Sequence, residues 1–141
     1  MGSRLLIAVV DDDVSVRLAT ESLLRSFGWT VQTFACAEEY LNSPHVNDTS
    51  CLITDVQMPG MSGIELQSVL AARRDSTPVI FITAYAHEGI RARLLDAGAV
   101  CILSKPFNDQ SLVQCVNAAL KGDTGSEGCF HPSIQSGNNL N

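Results

Sequence analysis

The residues of this 141-residue sequence that could do chemistry stand directly after apolar segments. Asp11, Asp12 and Asp13 follow the apolar run at 5–10, and three further polar residues close later runs: Asp55, Thr83 and Lys105. Neighbouring carboxylates are costly unless a cation neutralises them, and oxygen ligands that leave room for water suit Mg²⁺ or Mn²⁺. A lysine and a hydroxyl beside such a site suit a bound phosphoryl group. Brought together, these residues would support metal-assisted phosphoryl chemistry on a carboxylate.

The elements that must position these residues follow from the apolar pattern. Five apolar runs of strand length alternate with five stretches of helical periodicity. The predicted strands are 5–10, 30–34, 51–55, 78–83 and 100–103, and the predicted helices are 13–27, 37–42, 62–74, 87–97 and 108–121. Strands without polar alternation are buried on both faces. We therefore expect an α/β fold, a doubly wound five-stranded parallel sheet with helices on each side.

Such a sheet would bring the chemical residues together. Ligands of doubly wound sheets bind beyond the carboxyl ends of the strands, where all six residues stand. Asp13 is also the expected N-cap of the first helix, and Ser62 with Glu65 has the spacing of a capping box. The polar segment 43–50 predicts a loop. The histidines lack partners at metal-ligand spacing and are expected at the surface: His45, His87 and His131.

Charge and cysteine content exclude several classes of protein. The sequence has 9 Lys and Arg against 15 Asp and Glu, which disfavours direct nucleic-acid binding by this segment. No apolar run reaches the ~18 residues of a membrane span, and the N-terminus lacks the apolar core of a signal peptide. The 5 cysteines have no C-x-x-C spacing, so neither a disulfide framework nor a zinc site is expected. A cytoplasmic location is the expectation.

Four short motifs stand in order at the predicted strand ends. They are VVDDD at 9–13, DVQMPGMSG at 55–63, ITA at 82–84 and SKPF at 104–107. Together they resemble the receiver domain of two-component response regulators. The sequences of these motifs are similar to those in receivers attached to helix-turn-helix transcription regulators. The resemblance covers about 4–121 and implies the flavodoxin-like (βα)5 receiver fold.

The resemblance implies that Asp55 is the phosphoacceptor, which takes its group from the phosphohistidine of a sensor histidine kinase. It also implies a cofactor, Mg²⁺ or Mn²⁺, held by Asp12, by the Asp55 carboxylate and by the backbone carbonyl of Gln57. Asp11 is expected to join through water. In this interpretation the chain is a signalling phosphoacceptor and not an enzyme, although it assists its own phosphorylation and dephosphorylation.

The same resemblance assigns further residues to the phosphoryl group and to a switch. Thr83, Ala84 and Lys105 are expected to bind phosphoryl oxygens, and Lys105 typically precedes a cis proline. Thr83 then moves inward with the strand 4–helix 4 loop. The face of helix 4, strand 5 and helix 5 is expected to change in response, and to form a homodimer or dock an output domain or partner.

Three positions differ between receivers or depart from their usual pattern. Ile102 stands where receivers usually carry Tyr or Phe, so the switch at Thr83 and Ile102 is expected to change the surface less. Gln57 and Tyr85 flank the site at positions that line the path of attacking water. We hypothesise that Tyr85 shields the acyl phosphate and slows its hydrolysis.

Other functions fit parts of the sequence. The triple aspartate also fits the start of haloacid dehalogenase-like phosphatases, with Asp11 as nucleophile and Asp13 as acid/base. That family needs a further acidic pair after the lysine, whereas the chain past Lys105 reads as one helix and a tail, and Asp55 would have no role. A flavodoxin-like flavin module would need a Ser/Thr/Gly-rich phosphate loop after strand 1. A pseudo-receiver that only binds partners is the third alternative. The full set of acidic, hydroxyl and lysine residues argues against it, and Ile102 leaves open a version with a weakened switch.

Composition also suggests where the domain ends. The segment 122–141 contains four Gly, three Ser and three Asn and lacks Lys and Arg, so we expect a flexible tail or linker there. A receiver would be complete at about residue 121. The chain is then expected to be either a stand-alone receiver or the front end of a longer regulator that was cut within its linker.

Overall fold

Five parallel strands form one sheet in the order β2-β1-β3-β4-β5 in the computed structural model, which describes residues 5–85 and 87–121. The strands are β1 (Leu6–Val10), β2 (Thr30–Phe34), β3 (Cys51–Asp55), β4 (Val79–Thr83) and β5 (Cys101–Ser104). The helices are α1 (Val14–Ser26), α2 (Ala37–Leu41), α3 (Gly63–Ala72), α4 (Glu88–Asp96) and α5 (Asp109–Leu120). The predicted doubly wound α/β fold is confirmed. The predicted tail at 122–141 lies outside the described residues.

The sheet is buried on both faces, as its unbroken apolar strands predict. Every residue of β1, β3 and β4 is buried, whereas the edge strand β2 has both buried and half-buried positions. One core cluster contains Leu66 of α3 and Leu94 of α4, and the other contains Leu24 of α1 and Leu112 of α5. Helices therefore cover the sheet from both sides, which leaves the strand ends as its accessible edges.

Strand register aligns the ends of the central strands. Val10 of β1 pairs with Thr54 of β3, and Asp55 of β3 pairs with Ile82 of β4. Thr83 of β4 in turn pairs with Ser104 of β5. Because the strands are parallel and nearly level, the residues that follow them emerge side by side at the carboxyl edge.

Two helices begin at the capping side chains that the sequence indicates. The Asp13 carboxylate accepts hydrogen bonds from the first turn of α1, and Ser62 and Glu65 form both bonds of a capping box at α3. Cys36 makes no side-chain cap bond at α2. His87 is exposed, as expected, but its Nδ1 also accepts a hydrogen bond from the Ile90 amide at 3.3 Å and so caps α4.

The segment 43–50 is more ordered than a polar loop. Pro44–Asn47 forms a 3-10 turn that Ser43 caps by accepting a hydrogen bond from the His45 amide. Proline suits the first position of such a turn because its missing N–H would be unpaired there. Val46 of this turn is buried in the core. The polar composition of the segment predicts a loop and does not indicate this buried contact.

Cys51 and Cys101 are buried, as their apolar neighbours predict, and none of the four cysteines in the described residues forms a disulfide. Burial raises the pKa of the Cys51 thiol, so it stays protonated. Among the described helices, none is long and apolar enough to cross a membrane.

Candidate functional site

Three carboxylates meet at the carboxyl edge of β1 and β3. Oxygens of Asp11, Asp12 and Asp55 lie within 4.8 Å of one another. Asp11 is only 1% exposed and Asp55 only 6%, whereas Asp12 faces solvent. The structure thus brings together the aspartates that the sequence places after two different strands, while Asp13 turns away to cap α1.

Lys105 supplies positive charge to this cluster. Its Nζ donates a hydrogen bond to Asp55 Oδ2 at 3.0 Å and lies 3.4 Å from Asp11 Oδ2. Burial lowers the pKa of Lys105, but the hydrogen bond to Asp55 and the charges of Asp55 and Asp11 outweigh it, so the pKa is raised overall. The ammonium is therefore fully charged at neutral pH. A hydrogen bond from the Lys105 amide to the Thr83 carbonyl at 2.8 Å and a cis peptide to Pro106 position this residue.

Asp11 has one oxygen that the described residues leave without a hydrogen bond. Its Oδ1 accepts from the Asp13 amide at 2.9 Å, but its buried Oδ2 has only the ion-pair contact with Lys105. A buried carboxylate oxygen in this condition is costly unless a further cation or donor approaches it. Together with the oxygen-only donor set of the three aspartates, this orphaned atom fits a hard divalent cation such as Mg²⁺.

Thr83 links the cluster to the loop after β4. Its side chain is buried, and its Oγ1 accepts a hydrogen bond from the Tyr85 amide at 3.0 Å. Ala84 and Tyr85 are exposed beside it, and the Tyr85 side chain is 62% exposed. Any movement of the Thr83 hydroxyl must therefore either carry the Tyr85 backbone with it or break this bond.

Gln57 and Ile102 occupy very different surroundings. Gln57 is exposed, and its backbone N–H donates a hydrogen bond to Asp55 Oδ1 at 3.3 Å, so the residue lies next to the carboxylate. Ile102 on β5 is only 2% exposed and belongs to the core cluster that contains Ile90 and Leu94 of α4. The site therefore lies at the surface on one side and adjoins the packing of α4 on the other.

Inspection of the sequence does not reveal three residues that support the backbone at or near the site. Arg17 Nη1 donates to the Asp11 carbonyl at 2.7 Å, and Glu38 Oε2 accepts from the Met61 amide at 3.3 Å. A Cβ atom at Gly63 would lie 2.3 Å from the Asp55 carbonyl oxygen, so only glycine fits there. The glycine is visible in the DVQMPGMSG motif, but the close approach that requires it depends on how α3 packs against β3.

Comparison with known proteins agrees with this geometry. The family model described as "Response regulator receiver domain" matches residues 7–117. The chain belongs to the response regulator receiver family. It is thus a signalling domain of the two-component class, whose fold accounts for the five-stranded sheet and the acidic edge.

Related receivers extend this identification. Nodulation protein W of Bradyrhizobium diazoefficiens is 41% identical over 121 residues, which cover 86% of this chain and 53% of that protein. The solved response regulator StyR matches with a TM-score of 0.78 and 43% identity over 84% of this chain and 60% of that one. Chemotaxis protein CheY4 of Vibrio cholerae matches with a TM-score of 0.75 and 28% identity over 83% of this chain and 99% of that one. The receiver spans about half the length of the curated relatives it matches.

Substitution of Gly63 tests the close approach to the acceptor strand. A methyl group in Gly63→Ala must displace the Asp55 backbone, so we expect the free energy of unfolding to fall by about 2 kcal/mol. Gly89→Ala is the matched control, because Gly89 also lies in a first helical turn and its Cβ would meet only the His87 side chain at 3.4 Å. Urea unfolding measures both, and equal stability of the two variants would contradict the steric argument.

Substitution of Asp11 tests the electrostatic cost of the cluster. Burial raises the pKa of Asp11 above its ordinary value of 3.8 and the Asp55 charge adds to this, while the Asp13 amide and the Lys105 ammonium oppose it. The folded state therefore holds this proton more strongly than the unfolded chain, and stability is lost as the pH rises through the folded-state pKa. In EDTA, we expect Asp11→Asn to be more stable than the wild type at pH 7.

The pH dependence separates this charge effect from other causes. The stability gained by Asp11→Asn should shrink toward zero near pH 3, about one unit below the ordinary pKa of an aspartate. The carboxyl group is then protonated in both the folded and the unfolded state. Asp48→Asn removes an exposed carboxylate and should change stability little at either pH. A gain for Asp11→Asn that is independent of pH would contradict this explanation.

Proposed function

We propose that this receiver accepts a phosphoryl group on Asp55 from the phosphohistidine of a sensor histidine kinase. The observation that carries the proposal is the position of the Asp55 carboxylate. Its Oδ2 accepts a hydrogen bond from Lys105 Nζ at 3.0 Å, and Asp11 and Asp12 flank it at an accessible edge of the sheet. A carboxylate with a fixed ammonium and a potential cation site beside it is suited to receive a highly charged group.

The transfer requires little covalent chemistry from the protein. An Asp55 carboxylate oxygen attacks phosphorus, the phosphorus–nitrogen bond breaks, and its electron pair returns to the departing imidazole. The product is an acyl phosphate on Asp55. Lys105 Nζ, which already contacts Asp55 Oδ2, would then bind a phosphoryl oxygen, and the Thr83 hydroxyl with the Ala84 backbone would bind another. Positioning and charge stabilisation are the main sources of rate in this reaction class.

Asp12, the Asp55 carboxylate and the Gln57 backbone carbonyl would hold Mg²⁺, and Asp11 would join through water. When bound, Mg²⁺ offsets negative charge on the transferring phosphoryl group. The protein's own contribution is to hold these oxygens close together at the carboxyl edge of the sheet. The buried Asp11 Oδ2, which accepts no hydrogen bond from the described residues, supports this role because the pocket has a negative oxygen still to satisfy.

Phosphorylation would act as a switch by shifting a population of conformations. When Thr83 Oγ1 turns toward the phosphoryl group, its bond to the Tyr85 amide carries the change into the loop that precedes α4. The face formed by α4, β5 and α5 would then favour a homodimer, an output domain or another partner. Ile102 is already in the core, so this switch would rely on Thr83 and the loop more than on a swinging side chain.

Partners are inferred from the family and from charge. Relatives include Transcriptional regulatory protein FixJ of Azorhizobium caulinodans and Transcriptional regulatory protein TdiR of Thauera aromatica. By analogy this receiver would control an output function, whereas its own formal charge of -6 disfavours direct nucleic-acid contact. Membership in the receiver family argues against a phosphatase that uses Asp11 as nucleophile. The complete set of Asp, Thr and Lys residues argues against a pseudo-receiver.

Chemical trapping tests which aspartate is phosphorylated. We expect acetyl phosphate and a divalent cation to label the receiver, and borohydride reduction with peptide mass analysis to locate the acyl phosphate at residue 55. Asp55→Asn should abolish labelling, and EDTA should suppress it in the wild type. Asp48→Asn, which changes an exposed carboxylate, should be labelled normally. Label at residue 11 would instead establish the phosphatase-like alternative, and no label in any variant would favour the pseudo-receiver.

Hydrolysis of the acyl phosphate tests the role of Tyr85. The Tyr85 amide is hydrogen-bonded to Thr83 Oγ1 and the residue is 62% exposed, so its ring could shield the phosphoryl group from attacking water. We expect Tyr85→Ala to lose the phosphoryl group several-fold faster, since less shielding lowers the barrier by about 1 kcal/mol. Tyr85→Phe keeps the ring and should resemble the wild type. An unchanged or slower rate in Tyr85→Ala would disprove the shielding hypothesis.

A further inference from the structure

Three helices of this chain end in the same backbone motif, and one of them departs from the others. Gly28 follows α1 with φ 91° and Gly98 follows α4 with φ 94°. Arg74 follows α3 with φ 59° and is the only non-glycine residue with positive φ among the described residues. The same conformation is therefore adopted by glycine twice and by arginine once.

The hydrogen bonds show that the three ends are equivalent. At α3 the Asp75 amide donates to the Leu70 carbonyl at 2.9 Å and the Arg74 amide donates to the Ala71 carbonyl at 3.0 Å. The corresponding amides after α1 and α4 make the same pair of bonds. Glycine adopts this left-handed position without steric cost, whereas a side chain with a Cβ is strained there. An arginine in this position is uncommon, because glycine is the usual residue there.

Arg74 lines a polar cleft at the end of α3. The cleft has a volume of about 480 Å³, and its lining includes Arg73, Arg74, Asp75, Ser76, Thr77 and Asn47. Both arginines are exposed, and neither guanidinium forms a hydrogen bond or ion pair with another described residue. Asp75 is the one carboxylate in the lining, and its Oδ1 accepts hydrogen bonds from the Thr77 amide and hydroxyl.

This cleft has the opposite charge to the acidic pocket and lies at the other end of the strands. Thr77 and Pro78 precede β4 and Thr49 precedes β3, whereas the acidic cluster stands at the carboxyl ends. Strands of five residues separate the two sites by roughly 16 Å. Two guanidinium groups against one carboxylate make the cleft locally positive in a chain whose formal net charge is -6.

We propose that this cleft, defined by Arg73 and Arg74, binds the phosphate group of a small phosphate monoester or of inorganic phosphate. Paired guanidinium groups match the geometry of phosphate oxygens, and the Ser76 hydroxyl and Asn47 amide offer further donors. The volume falls within the range of small-molecule sites. This site is independent of the proposed phosphorylation of Asp55.

Phosphate titration in EDTA tests the proposal without involving the acidic pocket. We expect inorganic phosphate or glycerol phosphate to shift the NMR amide signals of residues 73–77 and to saturate with a Kd of about 1 mM or lower. Comparison of the two Kd values shows whether the cleft prefers the free phosphate ion or the phosphate ester. Sodium chloride at equal ionic strength and succinate should not saturate these shifts. Saturation by chloride, or equal affinity for succinate, would overturn the assignment to phosphate.

Variants separate binding from strain. Arg74→Gly and Arg73→Gln should each weaken phosphate binding at least tenfold, whereas Arg93→Gln removes an exposed arginine on α4 and should not. Without phosphate, Arg74→Gly should raise the unfolding midpoint. The reverse exchange, Gly28→Arg, should lower it, because a Cβ at Gly28 meets nothing within 4 Å and only strain is added. Unchanged phosphate affinity in Arg74→Gly would overturn the proposed phosphate site, and a midpoint that does not rise in this variant would overturn the assignment of backbone strain to Arg74.

Discussion

Asp11, Asp12 and Asp55 bring three carboxylates within 4.8 Å of one another, and like charges at that distance repel. The ammonium of Lys105 contacts two of them and offsets part of the repulsion. An excess of negative charge remains at the edge of the sheet, and the burial of Asp11 and Asp55 increases its cost. A divalent cation is the natural complement of such a pocket. The surrounding structure is arranged to hold these charges together despite their repulsion.

That arrangement rests on the backbone more than on side chains. The buried, parallel strands β1, β3 and β4 fix where the aspartates emerge, and Gly63 allows α3 to approach the Asp55 carbonyl closely. The Lys105 amide is bonded to the Thr83 carbonyl, and the Thr83 hydroxyl is bonded to the Tyr85 amide. A chemical change at Asp55 is therefore connected, through two residues, to the loop before α4. Short connections of this kind can carry a local change to a surface because packed cores are not freely deformable.

Ile102 bears on how the proposed switch would reach α4. Its aliphatic side chain lies in the core with Ile90 and Leu94 of α4. A buried isoleucine has little surface to expose or withdraw, since its β-branched side chain has few rotamers and its surroundings are packed. In the proposed switch, the position of α4 itself therefore matters more than any single side chain on β5.

The sequence by itself determined the five strands and five helices, and it indicated the polar residues at the carboxyl ends of the strands. Apolar runs such as 51–55 and caps such as Ser62 with Glu65 depend on residues a few positions apart, so their signals are complete within the local sequence. The order of the motifs then identified the receiver family. Only the tertiary structure decided that Lys105 bonds Asp55 across 50 positions of sequence, and that Asp11 Oδ2 has no hydrogen bond from the described residues. It also decided that Gly63 must be glycine and that Arg74 is strained. These features depend on register, burial and the approach of distant segments, and local sequence patterns do not encode the distances between them.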